Sequence, residues 1–195
     1  MKRFALALVL AAALPALAVN VGQPAPDFTL SDLSGKAVKL SDLKGKLVVL
    51  EWVNPDCPYV QKHYNSANMP GLQKEYSGKV TWLAINSTRE GHSEFKSPQQ
   101  MQSWMKEKGG APAATLLDRD SKVGKLYGAV TTPHMYVIDP KGTLVYVGAI
   151  DDKRSTNPAD VKTAKNYVRV ALGETMAGKP VTTASTTPYG CTVKY

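Results

Sequence analysis

Short apolar runs alternate with helical segments from residue 27 onward. The most apolar run, residues 47–53 (LVVLEWV), has almost no polar position, as expected of a central strand covered on both faces. Other runs predict strands at residues 28–30, 38–40, 80–85, 115–117, 135–138 and 144–147. The first two flank the turn Ser34-Gly35 and predict an N-terminal β-hairpin. The alternation of strands with helices predicts an α/β sandwich, with helices flanking a central sheet.

Proline and capping residues mark where the helices begin. Pro58 suits a first helical position, and the helix that it opens is predicted to reach about Tyr64, with Pro70 breaking or kinking the chain before the helical residues 71–76. Ser97-Pro98 is predicted to open a helix that ends near Lys108, and residues 121–127 are predicted to form a short helix. Asn157-Pro158 is predicted to open a long final helix that ends near Met176.

The two ends of the chain differ from the domain between them. Lys2 and Arg3, the apolar residues 4–14 and the small-x-small motif Ala16-Leu17-Ala18 predict a signal peptide over residues 1–18. Residues 19–177 then form one domain, and residues 178–195 a Thr-, Ser- and Pro-rich tail that we expect to be irregular and pliable. The signal peptide predicts an exported protein, periplasmic or secreted.

Charge and hydropathy exclude several classes of function. The net charge of +8 becomes +6 without Lys2 and Arg3, since 22 basic residues then face 16 acidic ones, and no run of five like charges occurs. Without such a run or a nucleic-acid-binding module, we expect no nucleic-acid partner. No later segment approaches the roughly 20 apolar residues of a membrane helix, so we expect no stable membrane insertion.

The mature chain has two cysteines, Cys57 and Cys191. Two cysteines cannot form the dense disulfide framework of a small secreted protein, a four-cysteine zinc site or a C-x-x-C-H haem motif. In an oxidising compartment they can pair with each other.

Cys57 lies between the central strand and the following helix, at the edge where α/β sheets build their sites. The free N–H groups and the positive dipole end of that helix favour a thiolate, which is the nucleophilic form of cysteine. The alternatives are a small buried hydrophobe or half of a structural disulfide.

Four motifs together resemble the thioredoxin superfamily, specifically the redoxin or AhpC/TSA group and its peroxiredoxin-like branch. They are residues 24–28 (PAPDF), residues 51–58 (EWVNPDCP), Thr132-Pro133 before a strand, and residues 189–191 (YGC). The resemblance covers almost the whole mature chain. It implies a thioredoxin-like sandwich, a central mixed sheet flanked by helices with an N-terminal β-hairpin extension, and thiol chemistry at Cys57.

The resemblance also implies roles for other residues. Val60 stands where thioredoxins have their second cysteine, so Cys191 is the resolving candidate within the chain. Thr132-Pro133 matches the cis-proline that thioredoxins place beside the thiol, where backbone groups can pair with an extended, disulfide-bearing chain. Glu51 matches the buried proton-relaying acid of thioredoxins; the alternative is a carboxylate at the strand edge paired with a lysine.

Two departures from related proteins narrow the chemistry. Peroxiredoxins proper carry P-x-x-x-[ST]-x-x-C, and this chain has Leu50 and Asn54 at the proline and hydroxyl positions. Copper-chaperone relatives use a second cysteine where this chain has Gln61, so His134 with Cys57 is a weak metal site. We therefore favour disulfide exchange over peroxide reduction and expect no metal or other cofactor.

The sequence predicts an exported thiol oxidoreductase or peroxiredoxin-like antioxidant protein. Cys57 attacks a protein disulfide or a peroxide, Cys191 resolves the adduct, and an external thiol supplies electrons. The competing hypothesis is a non-enzymatic metal-binding or interaction module in which Cys57 and Cys191 form a structural disulfide.

Overall fold

A computed structural model describes residues 19–195, and the predicted signal peptide lies outside the described residues. The nine strands are β1 (Thr29–Asp32), β2 (Ala37–Lys39), β3 (Leu47–Trp52), β4 (Val80–Asn86), β5 (Ala114–Leu117), β6 (Thr131–Thr132), β7 (His134–Ile138), β8 (Leu144–Gly148) and β9 (Cys191–Thr192). The helices are α1 (Pro58–Asn65), α2 (Asn68–Glu75), α3 (Pro98–Glu107), α4 (Lys122–Tyr127) and α5 (Tyr167–Met176), with 3-10 helices at Leu40–Leu43 and Pro158–Lys162.

Seven strands form one mixed sheet in the order β2-β1-β5-β4-β3-β7-β8. The pairs β3–β4 and β4–β5 are parallel, and the other pairs of this sheet are antiparallel. The predicted hairpin is confirmed as β1–β2, which extends the sheet at one edge. Helices flank the sheet, so the predicted thioredoxin-like α/β class is confirmed.

Strand β3 is buried on both faces, as its apolar sequence predicts. Val49 and Val53 belong to a core cluster that includes side chains of α1, α2, α3 and α5. Leu50 and Trp52 belong to a second cluster on the opposite face, with side chains of the hairpin and α4. Because β3 is covered on both sides, the chain segment that follows it starts from a rigid position.

Two predicted helix boundaries are wrong. The break between α1 and α2 falls at Ala67, whose φ of 57° is left-handed, and Pro70 is the third residue of α2, where its missing N–H costs nothing. The long final helix is also wrong, because a 3-10 helix and α5 replace it. Asn166 pairs with Asp151 and caps α5 by accepting from Arg169 N at 2.9 Å, which starts the helix anew.

The tail is docked on the domain, and its backbone is irregular, as expected, apart from the two residues of β9. Its pliability stays a prediction. Thr186 N donates to Val147 O at 3.1 Å, and Thr186 Oγ1 accepts from Ala149 N at 2.9 Å. Gly148, between them, has φ +145°, and a Cβ there would lie 2.2 Å from Thr186 Oγ1. Further along, β9 pairs antiparallel with β6. The composition of the tail does not reveal these docking contacts, which come from the distant strands β8 and β6.

Gly148→Ala should weaken this docking. A methyl group at φ +145° strains the backbone and meets Thr186, so we expect a loss of roughly 1–3 kcal/mol of unfolding free energy, or local release of the tail. Urea unfolding and proteolysis within the tail measure these effects. Gly173→Ala is the matched control, because Gly173 lies in α5 with no atom within 4 Å of an added Cβ. Equal stability of both variants would contradict the packing argument.

Candidate active site

Cys57 is the N-cap residue of α1, with Pro58 as the first residue of the helix. The link from β3 is short, and Cys57 N donates to Asn54 O at 3.1 Å, so a tight turn fixes the start of the helix. Cys57 is only 1% exposed. The predicted placement at the strand-to-helix junction is confirmed.

The thiol of Cys57 faces the carbonyl of Thr132. Its Sγ donates to Thr132 O at 3.0 Å and makes no capping bond to the N–H groups of α1. The Thr132-Pro133 bond is cis, as predicted. Cys57, Thr132 and Pro133 therefore lie together, and in the thiol form the proton of Cys57 is held by a backbone acceptor.

Cys191 lies beside Cys57, because β9 pairs Cys191 with Thr132. Gly190 makes this approach possible, since its φ is +147° and a Cβ there would lie 2.0 Å from Thr132 O. Both cysteines are free, and Cys191 is half-buried. Burial, followed by the neighbouring Cys57 thiol, raises the pKa of Cys191 to about 12. The free-thiol protein thus already holds the two sulfurs as neighbours.

Glu51 lies fully buried on β3 and makes no hydrogen bond to Cys57 or Cys191. Its carboxylate accepts hydrogen bonds from Tyr64 Oη at 2.9 Å, Gln73 Nε2 at 3.1 Å and Trp82 Nε1 at 2.7 Å. None of these partners is a lysine or Cys57. Burial, partly offset by these donors, raises the pKa of Glu51 to about 7. A relay role for Glu51 stays a prediction.

A carboxylate connects the two segments that carry the cysteines. Glu94 accepts from Asn54 Nδ2 and lies 3.6 Å from Lys194 Nζ, so it contacts residues that flank Cys57 and Cys191 in sequence. Asn54 Oδ1 accepts from Asp56 N at 3.1 Å. Both polar atoms of the Asn54 side chain are therefore engaged in hydrogen bonds, at the position where the peroxidase motif has a hydroxyl.

Sequence reasoning missed a buried polar cluster beside the site. Lys62, His63, Asp151 and Tyr189 are all less than 5% exposed, and the sequence analysis assigned none of them a role. The one available signal was Tyr189, in the motif that carries Cys191. The four residues come from three separate segments, α1, the residues after β8 and the tail, so no local pattern reveals the cluster.

His134 lies next to Pro133 but is engaged in the core. Its Nδ1 lies 3.1 Å from Tyr136 Oη, and burial lowers the pKa of His134 to about 4. Within residues 19–195, no three His, Cys, Asp or Glu side chains gather as a group that could hold a metal ion. The helices over the same residues are also too short or too polar to cross a membrane.

Comparison with known proteins gives consistent results. The model of the AhpC/TSA family matches residues 21–147. The thioredoxin-like protein YneN of Bacillus subtilis is 30% identical over 145 residues, 73% of this chain and 81% of YneN. The thiol-disulfide oxidoreductase ResA of the same organism is 30% identical over 130 residues, 66% of this chain and 67% of ResA. A crystal structure of an uncharacterised conserved protein from Geobacillus kaustophilus superimposes with a TM-score of 0.79, at 30% identity, over 90% of this chain and 92% of that one.

Glu51→Gln should remove a pH dependence of stability. A carboxyl with a raised folded-state pKa favours folding when protonated, so the wild type should lose stability as the pH rises from about 4.5 to about 7. The loss should be on the order of 3 kcal/mol. A glutamine stays neutral and can use its oxygen for Trp82 and Gln73 and its N–H for Tyr64.

Urea unfolding at pH 4.5, 6 and 8 measures this effect. Glu107→Gln serves as the control, because the Glu107 side chain is 69% exposed. A parallel pH dependence in the wild type and Glu51→Gln would contradict the assignment.

Proposed function

This chain belongs to the AhpC/TSA family and is a thiol-dependent oxidoreductase, and on that premise we propose that it exchanges disulfides through Cys57 and Cys191. The observation that carries the proposal is the pairing of Cys191 with Thr132, whose carbonyl also accepts the Cys57 thiol. ResA, a relative, is named as a thiol-disulfide oxidoreductase.

The proposed reaction reduces a substrate disulfide in two exchanges. The Cys57 thiolate attacks one sulfur of the substrate, forms a mixed disulfide and releases the other sulfur as a thiolate. Cys191 then loses its proton to solvent and, as thiolate, attacks Cys57 Sγ. The Cys57–Cys191 bond forms as the second substrate sulfur leaves as a thiolate, which takes up a proton. The substrate gains two electrons, and the protein becomes the disulfide.

Substrate access requires a movement of the tail. Cys57 is 1% exposed and β9 covers the β6 edge, so we propose that β9 leaves Thr131–Thr132 when a substrate arrives. The freed edge offers backbone groups to an extended chain, which gives affinity without sequence specificity. A protein or peptide disulfide is therefore the proposed substrate class.

Peroxide reduction is the less favoured chemistry. The side-chain amide of Asn54 is held by Glu94 and the backbone of Asp56, so it does not supply the hydroxyl of the peroxidase motif. A peroxide would leave a sulfenic acid on Cys57, so the product on that sulfur separates the two chemistries.

The proposal also includes a role for Glu51 in proton exchange and the export of the protein. A carboxyl with a pKa of about 7 exchanges protons near neutral pH, and we propose that Glu51 affects turnover without a direct hydrogen bond to the thiols, which the pH profile of turnover in Glu51→Gln tests. The residues 1–18 support export to an oxidising compartment, and a mature protein beginning at Val19 is the expected product.

Replacing Cys191 with Ser should trap the first intermediate. After treatment with oxidised glutathione, the wild type should contain the Cys57–Cys191 bond, whereas Cys191→Ser should keep a glutathione adduct on Cys57. Cys57→Ser is the control and should lose turnover. Intact mass and peptide mapping identify the products. A free Cys191 in the wild type, after Cys57 has turned over, would exclude the resolving role.

The regenerating thiol is proposed to attack Cys191. In the docked tail Cys191 is half-buried whereas Cys57 is 1% exposed, so the Cys191 sulfur of the disulfide is the accessible one. Cys57 then leaves as a thiolate beside the positive end of α1. The opposite attack would expel Cys191, whose raised pKa makes it a poor leaving group.

Brief reaction of the oxidised protein with limiting reduced glutathione tests this order. After an acid quench and alkylation, we expect glutathione on Cys191 and the alkyl group on Cys57, because attack at the exposed sulfur releases the buried one. Peptide mapping distinguishes the two products. The reversed pattern would show that electrons arrive at Cys57.

A further inference from the structure

A buried polar cluster joins α1 to the tail just before Cys191. Lys62 and His63 come from α1, Asp151 follows β8, and Tyr189 belongs to the tail. Their exposed fractions are 1%, 0%, 2% and 4%. Burying such groups is costly unless they are paired, so a cluster of this kind fixes the segments that supply its partners.

The donors and acceptors of the cluster can be assigned, and the side chain of Asp151 is the final acceptor. Asn166 Nδ2 donates to Asn68 Oδ1 at 3.5 Å, which turns Asn68 Nδ2 toward His63 Nδ1 at 2.9 Å. His63 therefore carries its proton on Nε2, 3.1 Å from Tyr189 Oη, and donates it there. The Tyr189 hydroxyl in turn donates to Asp151 Oδ1.

Burial and the charge of Lys62 favour the same assignment, because both keep His63 neutral. Burial and the charge of Lys62 lower the pKa of His63 to about 3, so His63 stays neutral at ordinary pH. Lys62 Nζ lies 3.9 Å from Asp151 Oδ2 and 5.6 Å from the centre of the Tyr189 ring. Tyr189 thus contributes both its ring and its hydroxyl to a cluster containing a charged pair.

Tyr189 is two residues from Cys191, with Gly190 between them. Gly190 packs against Thr132 O, and Cys191 pairs with Thr132 in β9. A fixed Tyr189 leaves few conformations to the two residues that follow. The cluster therefore limits where the Cys191 sulfur can lie relative to α1, the helix that Cys57 caps.

We infer that Tyr189 is a positioning residue, and that its hydroxyl, held between His63 and Asp151, sets the effective concentration of Cys191 at Cys57. This inference rests on the proposed exchange between the two cysteines. Loss of the hydroxyl removes a hydrogen bond to a charged acceptor, and the reduced tail can relieve that loss by undocking whereas the disulfide form cannot. The variant should therefore favour the reduced form.

The experiment compares wild type, Tyr189→Phe and Tyr167→Phe in glutathione redox buffers. Tyr167→Phe is the matched control, because its hydroxyl makes no hydrogen bond within the described residues. We expect the equilibrium constant for forming Cys57–Cys191 to fall about tenfold or more in Tyr189→Phe and to stay within twofold in the control. Alkylation of Cys57 in the reduced variant should also be faster, because the tail covers it less.

Two further results would decide against the inference in different ways. If the wild type forms the Cys57–Cys191 disulfide and folded Tyr189→Phe forms it with the same equilibrium constant, the positioning role alone is overturned. A wild type that forms no Cys57–Cys191 bond would overturn the proposed exchange and this inference with it. Thermal unfolding of each variant shows that the comparison is made on folded protein.

Discussion

The carbonyl group of Thr132 is the point at which the parts of the site meet. Its oxygen accepts the thiol of Cys57 at 3.0 Å, and its residue pairs with Cys191 in β9. Gly190 passes so close that a Cβ would lie 2.0 Å from the same oxygen. Cys57, Cys191 and Gly190 thus all contact the same backbone segment at Thr132. The close approach at this segment is the reason that position 190 needs a glycine.

In the proposed exchange, two cysteines that are distant in sequence replace the adjacent dithiol of thioredoxins. Val60 fills the position of the second cysteine and is buried in the core. The partner thiol instead reaches the site on the tail, which β8 and β6 hold by backbone hydrogen bonds. In the proposed exchange, resolution by Cys191 depends on the docking of the tail rather than on the geometry of a single helix turn.

The position of Cys57 at the strand-to-helix junction and the cis-proline beside its thiol were predictable from the sequence, whereas the docking contacts of the tail and the buried polar cluster were not. An apolar strand followed by Pro58 is enough to place Cys57 at the start of a helix, and the Thr132-Pro133 motif is enough to predict a cis bond. The docked tail was not predictable from its Thr, Ser and Pro content, because its stability comes from contacts made elsewhere in the chain. Likewise, the hydrogen-bond partner of His63 Nε2 is Tyr189, which lies 126 residues away in the sequence.

The strength of tail docking affects the two halves of the proposed cycle in opposite directions. Tight docking raises the effective concentration of Cys191 at Cys57 and speeds resolution, but it also covers Cys57 and stabilises the disulfide against external thiols. Loose docking exposes Cys57 but prolongs the mixed disulfide. Strand β9 has only two residues, Cys191 and Thr192, so its backbone pairing is weak by itself. The buried contacts of Tyr189 hold the tail outside this strand. Because the pairing of β9 is weak, β9 can leave the edge of β6 without unfolding of the domain.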